Sequence, residues 1–490
     1  MDRGGPEPGL RAPAYHRRHP KTHRKSPDVG HDIGSISRAK WFIPKAIVGA
    51  TGGMVDTPKL LDRRYINRGT WIYLTGLLVR LGARIPLLFI AGRAYGPALY
   101  GEFMIAAGLA ETAAAIATLG FKRTLFTFMN EEAAEEAGRA VRHSLALGLG
   151  LGCVFSGILM LLAPILAPLF GVPEAADRIA VFAWIVPVIV ATEILLTATF
   201  FNRRLRYDVW ARCVAEPGTQ TVVAGAFYML GLIQVGLLAS YAAALTAACL
   251  TALWGYNEQF GLKSLWGRIE AARVVDMTRR SASTGAFDIL SMLMSRIDMF
   301  VVGHFFSAQG VGLYGMAQQF LTLPDKVGKS FAPVVMPVLS QALHEGDLKR
   351  ARSALAAMAP RQAALEGILV LAFVAFGGFL LKFFGGDQFE AAAPVLAILA
   401  VGVLVNDIFS IAGLPLVVAR PMVNPGAGIV TLLAYLAAIA VIEDSYGIEG
   451  VAVISVVAAL IGNLWRVQAC YQVLFPADGV APPAVKSPAE

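Results

Sequence analysis

Apolar residues in this chain come in blocks of about 20 to 25, the number a helix needs to cross a hydrocarbon core of roughly 30 Å. A backbone in lipid has to satisfy its own hydrogen bonds, so only helices and closed barrels span a membrane. The blocks lack the two-residue alternation of barrel strands. The sequence therefore predicts an all-α polytopic membrane protein. Composition agrees: of 490 residues, 56% are hydrophobic and only 16% charged, with mean hydropathy +0.60. A soluble chain carries about 25% charged residues.

Twelve spans are expected, starting near Trp71, Leu99, Ser144, Arg178, Val209, Val235, Ser281, Val311, Arg361, Ala391, Met422 and Gly447. The N-terminus is polar and long without an early apolar core, so no cleavable signal peptide is expected. Cys153, Cys213, Cys249 and Cys470 fall in or at the ends of spans and form no CxxC pair. They read as small buried apolar residues and not as disulfides or metal ligands.

Basic residues alternate between loops. One set holds Lys122, Arg123, Arg139 and Arg142, then Arg203, Arg204, Arg206 and Arg212, then Lys263 to Arg280, Lys349 to Arg361, Arg420 and Arg466. The opposite set holds only Arg93, Arg178 and Lys382. The positive-inside rule makes the first set cytoplasmic and puts both termini inside. Residues 1–66 form a basic tail rich in Pro, His and Arg, expected to be disordered and drawn weakly to anionic lipid. His16, His19 and His23 are a metal-binding alternative there, and Met54 is an alternative start. Residues 259–280 read as an amphipathic cytoplasmic linker, a helix lying on the inner membrane face, with Leu265, Trp266, Ile269, Val274 and Val275 among basic residues. It divides an N-lobe (67–258) from a C-lobe (281–476), and 477–490 form a cytoplasmic C-terminal tail.

The halves resemble each other. "RIPLLFIAGRAYGPALYGEF" from Arg84 aligns with "RIDMFVVGHFFSAQGVGLYGMA" from Arg296, matching Gly92 with Gly303 and Tyr100-Gly101 with Tyr314-Gly315. Six spans per half give a parallel repeat, and transporters built this way hold substrate between the halves. The Arg-x-Asp of span seven, the following "GVGLYGMAQQF" and "PDKVGKSFAPVVMPVLSQALHEGD" of span eight resemble the oligosaccharide (O-antigen-type) flippases. That family belongs to the multidrug/oligosaccharidyl-lipid/polysaccharide exporter superfamily. The resemblance covers roughly 67 to 475. It implies two six-helix lobes, a V-shaped fold with a central cavity, and transfer of a polyprenyl-diphosphate-linked oligosaccharide to the outer leaflet of a bacterial inner membrane. The partners implied are the lipid-linked glycan, membrane lipid and other polysaccharide assembly proteins, with no nucleic acid and no cofactor.

Charges at membrane depth are costly and usually face a cavity or a partner. Arg80 and Arg84, four apart, share one face of span one. Asp288 and Arg296 lie within about 80° of each other on span seven. Two readings stand. In one, Arg80, Arg84 and Arg296 face an anion such as a diphosphate, which guanidinium forks bind well. In the other, Glu111, Asp288 or Asp298 neutralises them and the pairs only join the lobes. Asp298 points about 160° from Arg296, toward another span or the outer surface. Asp325 and Lys329 are spaced to pair, and Lys326 and Lys329 line either a bending gate or a static kink made by Pro324, Pro333 and Pro337. Glu193 and Glu216, beside threonines, are candidates for ion coupling, as are Glu111, Glu366 and Asp407. Tyr100 and Tyr314 read as interfacial anchors.

Two other functions fit the same composition. A cation-coupled multidrug exporter would have a cavity richer in acids than in arginines. A membrane glycan polymerase or ligase would carry a large outer loop with His or Arg, whereas the outer connections here are short. No Walker loop is present, so ATP does not drive this chain directly. The topology is testable with a reporter active only in the periplasm. Fusions after Arg280 are expected to be silent and fusions in 305–310 active; the opposite pattern overturns the orientation.

Overall fold

The computed structural model describes residues 82, 84–132, 137–201, 206–441 and 446–476. The basic tail, Arg80, most of the first expected span and the C-terminal tail lie outside them. Every regular element among the described residues is helical. The first half of the chain holds α1 (Ile85–Ile90, ending in a π turn), α2 (Gly96–Ala117), α3 (Phe121–Glu131), α4 (Ala137–Leu169), α5 (Ala176–Phe182), α6 (Ile185–Phe201), α7 (Glu216–Met229) and α8 (Ile233–Phe260). The second half holds α9 (Ala271–Phe305), α10 (Ala308–Lys329), α11 (Ala332–His344), α12 (Leu348–Gly385), α13 (Ala393–Ser410), α14 (Gly413–Ala419), α15 (Val423–Ile439) and α16 (Gly447–Leu474).

A helix stands at each expected span from the second onward. By length and composition, six helical stretches can cross a membrane, and a seventh if the bent pair α5–α6 is one span. Helix boundaries follow local chemistry. Pro97 sits in the first turn of α2, where its missing N–H costs nothing. Ser307 and Asp347 cap α10 and α12, accepting from the backbone N–H of Gly310 and Arg350. The outward faces are apolar, with Leu161, Leu371 and Phe379 among the exposed side chains. Such faces are stable against lipid tails, not against water.

Three expectations need correction. The linker is not one helix. It is a 3₁₀ turn (Leu262–Leu265), then an irregular stretch, and from Ala271 it is already α9. Arg142 donates to the Trp266 carbonyl and the Glu270 N–H donates to His143, fastening the linker to α4. Tyr100 and Tyr314 are buried instead of interfacial, because both point into the packed interior. Cys153 is exposed and only Cys470 is buried, since Cys153 lies on the outward side of α4.

Within the first half, α2, α4, α6 and α8 pack on one another; within the second, α10, α12, α13 and α16 do. The halves meet where α2 crosses α10. A Cβ on Gly101 would overlap the Ala308 carbonyl, and one on Gly312 would overlap the Pro97 carbonyl. The contact is reciprocal: Gly101 on α2 and Ala308 and Gly312 on α10 let the two backbones touch, as small residues do in membrane helix pairs generally. Two further glycine contacts tie α9 to the first half, Gly303 at the Phe170–Gly171 turn and Gly285 at Leu119–Gly120.

At the linker end a charged seam joins α3 to α9. Arg123 contacts Asp288 at 2.6 Å, Arg273 reaches Glu131 and Glu132 at 3.3 and 3.2 Å, and Arg280 pairs with Glu131. Exposed pairs of this kind contribute about 0–1 kcal/mol each. The Arg280 hydrogen bond holds the Glu131 carboxyl below its usual range. A depressed carboxyl contributes stability above its unfolded value of about 4.3 and loses it as pH falls through the folded value.

Glu131→Gln is therefore expected to lower the melting temperature at neutral pH by no more than about 2 °C, with the difference from wild type shrinking as pH falls below about 4.3 and gone once the folded carboxyl is protonated. A difference independent of pH would remove the charge from the explanation. Gly312→Leu is expected to destabilise by about 3 kcal/mol, because backbone, which cannot yield, stands in its way. Gly157→Ala, with nothing within 4 Å of the added carbon, is expected to be neutral or stabilising by up to about 1 kcal/mol. Equal unfolding midpoints for wild type and Gly312→Leu in detergent would contradict the close crossing.

Candidate functional site

The α2–α10 crossing sets the depth at which polar side chains of the two halves meet. Glu111 projects from α2, one end of it taking a hydrogen bond from the Tyr241 hydroxyl of α8 at 2.6 Å. The other carboxylate oxygen accepts from Arg296 of α9. One carboxylate thus joins both halves. Arg84, just before α1, lies 3.6 Å from Glu216 at the start of α7. These four charges, with Tyr241, line a pocket of about 100 Å³.

That pocket adjoins a cavity of about 640 Å³ whose walls also include Arg84 and Arg296. All its other lining residues except Met104 come from the second half. Lys326 and Lys329 line it from α10, with Asp325 between them in space: Lys329 donates to Asp325, and Lys326 lies 3.8 Å from the same carboxylate. The expected bend is a break at Ser330–Phe331 between α10 and α11. Uncharged polar groups complete the wall, among them Gln318, Gln319, Thr322, Asn406 and Ser455. A third, apolar cleft of about 210 Å³ lies between Ile85 and Leu88 of α1, Phe320 and Leu323 of α10, and Phe373 and Phe384 of α12. It shares Arg84, Gln319 and Thr322 with the polar cavity, so the polar and apolar spaces lie side by side.

Arg84, Arg296, Lys326, Lys329 and Asp325 are thus brought to one cavity, and Glu111 and Glu216 to its annex, while Arg80 lies outside the described residues. Asp298 stands at the cavity wall, buried, accepting from the Tyr314 and Ser455 hydroxyls at 2.9 Å each. Asp288 is not beside Arg296. It is held by Arg123 in the seam, because α9 turns that position toward α3. Glu193 is away from the cavity, clamped between Lys122 at 2.9 Å and Arg212 at 2.6 Å. Its threonine neighbours Thr192 and Thr197 donate to helix carbonyls one turn back.

Sequence reasoning missed Tyr241, Asn406 and Ser455, which carry no charge. The adjacent glutamines of "YGMAQQF" were a readable signal, since amides are costly on a lipid-facing surface. Each arginine of the cavity has an acid beside it, Glu111 at Arg296 and Glu216 at Arg84.

Comparison with known proteins bears on this arrangement. A family model described as "Polysaccharide biosynthesis protein" matches residues 66–343. The teichuronic acid biosynthesis protein TuaB of Bacillus subtilis (strain 168) is 30% identical over 128 residues, 25% of this chain and 26% of that protein. The succinoglycan biosynthesis transport protein ExoT of Rhizobium meliloti (strain 1021) is 24% identical over 323 residues, 65% of this chain and 62% of that protein. The chain thus matches under two thirds of the length of either relative. Among solved structures, the lipid II flippase MurJ in an inward closed conformation superposes with TM-score 0.65 at 12% identity, covering 81% of this chain and 87% of that one. An inward-facing multidrug resistance MATE family transporter of the MOP superfamily gives 0.57 at 18% identity, covering 87% and 98%. At such identities the likeness is one of fold. With more than half of its length matched by the family model, the chain belongs to the polysaccharide biosynthesis protein family.

Proposed function

We propose that this protein moves a polyprenyl-diphosphate-linked oligosaccharide from the inner to the outer leaflet of a bacterial inner membrane, by alternating access, for surface polysaccharide biosynthesis. The observation that carries the reading is a polar cavity holding Arg84 and Arg296 side by side with an apolar cleft lined by Phe320, Phe373 and Phe384, the two sharing Arg84, Gln319 and Thr322 in their walls. The cargo has the same division: an anionic, hydroxyl-rich head and a hydrocarbon tail. Guanidinium forks suit a diphosphate. The amides and hydroxyls of Gln318, Gln319, Thr322 and Ser455 suit sugar hydroxyls. The relatives named for teichuronic acid biosynthesis and succinoglycan biosynthesis transport support it further.

The reading takes the bundle as twelve spans in two six-helix lobes around a V-shaped cavity, with both termini cytoplasmic. The linker end is then the cytoplasmic end. Its seam of partly exposed ion pairs separates easily, since water replaces each lost partner. The glycine crossing of α2 and α10 is a backbone contact without such a substitute. Alternating access needs one such closure to open while another holds. Other polysaccharide assembly proteins are its expected partners. A multidrug exporter of the same fold would need a cavity richer in acids than in arginines, whereas this cavity is lined by Arg84, Arg296, Lys326 and Lys329 against Asp298 and Asp325.

The test is the double variant Glu111→Gln with Arg296→Gln. No charge is left unpaired, so the protein is expected to insert and melt close to wild type. Export is expected to fall to the level of a flippase-null host, because the diphosphate has lost its cation. Arg296→Gln alone leaves a carboxylate without its cation and is expected to cost roughly 1–3 kcal/mol. Arg296→Lys keeps the charge without the fork and is expected to retain part of the activity. The assay is complementation of glycan export with membrane protein quantified in parallel. Full export by the double variant would leave Arg296 as a structural partner only.

A further inference from the structure

Glu366 of α12 and Asp407 of α13 are both at or below 1% exposed, and the transport reading makes no use of either. Neither oxygen of Glu366 has a hydrogen-bond partner, nor does Oδ2 of Asp407. Both carboxyls converge on Gly328 of α10. A Cβ there would overlap Asp407 Oδ2 and stand 2.7 Å from Glu366 Oε2, so the absence of a side chain makes room for the pair. Asp407 Oδ1 accepts from Asn406 at 3.2 Å, and Asn406 lines the cavity. Gln362 donates to the Asp407 carbonyl at 3.5 Å, outside the carboxyl itself.

The charged groups that bear on the pair are few. From α10 come Lys329 and Asp325, which are joined to each other. From α16 comes Arg466, held off behind Asn463, which itself donates to Asn406. Two ionised carboxylates facing each other away from water repel, and a donor meets only one of their four oxygens in the geometry seen, Asp407 Oδ1 through Asn406. A single proton resolves both problems: the O–H of one acid donates to the other, as in carboxyl dyads. Among the described residues no third His, Cys, Asp or Glu completes a metal site there.

We propose that Glu366 and Asp407 form a one-proton site beside the α10–α11 break. On loading, a proton from water forms one O–H bond on either carboxyl. On release that bond breaks and the proton returns to water, through the cavity wall at Asn406 and Lys329; no other bond changes. The deprotonated pair would compete with Asp325 for Lys329, the last residue of α10, so occupancy of the site acts on the place where this span bends. The inference holds whatever the cargo is, since it rests on the pair alone.

The test is infrared difference spectroscopy of the full-length protein in lipid nanodiscs. At neutral pH the wild type is expected to show a protonated-carboxyl C=O band that shifts in D₂O. The band is expected to be lost in Glu366→Gln and in Asp407→Asn. If either variant fails to fold, the wild-type band and its D₂O shift still decide whether a buried protonated carboxyl exists, and the foldable variant assigns it. Absence of the band from wild type at neutral pH overturns the proposal. So does its survival in a folded variant. Loss of the wild-type band when sodium replaces choline at fixed pH also overturns it, in favour of a metal-cation site.

Discussion

The contact on which the arrangement depends is the backbone-to-backbone crossing of α2 and α10. Between lipid-exposed helices there is no hydrophobic force to speak of, because lipid tails are as apolar as leucine. What remains is close packing, and Gly101 and Gly312 permit it at one place. Once that crossing is fixed, Glu111, ten residues along α2 from Gly101, lies at the depth of Arg296 on α9. The ion pair between the halves follows from the crossing; it does not create it.

The cavity that results is balanced rather than cationic. Arg296 is met by Glu111 and Arg84 by Glu216, and Asp325 answers Lys329. Balance is what a low-dielectric site requires when nothing is bound, since an unpaired buried charge is expensive. It also sets a condition on any anionic cargo. The anion has to do better than a carboxylate, and a diphosphate does so by offering more acceptor oxygens to the guanidinium forks. On the transport reading proposed above, such a site would discriminate by exchange: a cargo without the diphosphate would leave the internal pairs undisturbed.

Charge serves a second purpose away from the cavity. The seam of Arg123, Arg273 and Arg280 with Asp288, Glu131 and Glu132 lies where water reaches. Pairs there are weak and replaceable, unlike the glycine crossing or the clamped Glu193. The same residue types are fixed braces where buried and, on the proposed transport reading, a releasable closure where exposed. Exposure, not sequence, makes the difference.

How much of this the sequence determined follows from the range of the forces involved. Helix class and span positions depend on the bilayer, which reads each segment locally, so runs of apolar residues were sufficient. Angles around a single helix were also readable: Asp298 faces away from Arg296, and it is indeed held by Tyr314 and Ser455. Which neighbour a side chain meets was not readable, because it depends on how separate helices rotate and cross. Asp288 shares a face with Arg296 on its helix, yet the packing of α3 gives it Arg123, while Glu111, far away in sequence, arrives at Arg296. Tyr100 and Tyr314, placed like membrane anchors by their position, turn inward for the same reason. The Glu366–Asp407 pair exists only through the meeting of α10, α12 and α13 at Gly328. Spacing along one chain fixes a direction; only tertiary packing decides what stands there to meet it.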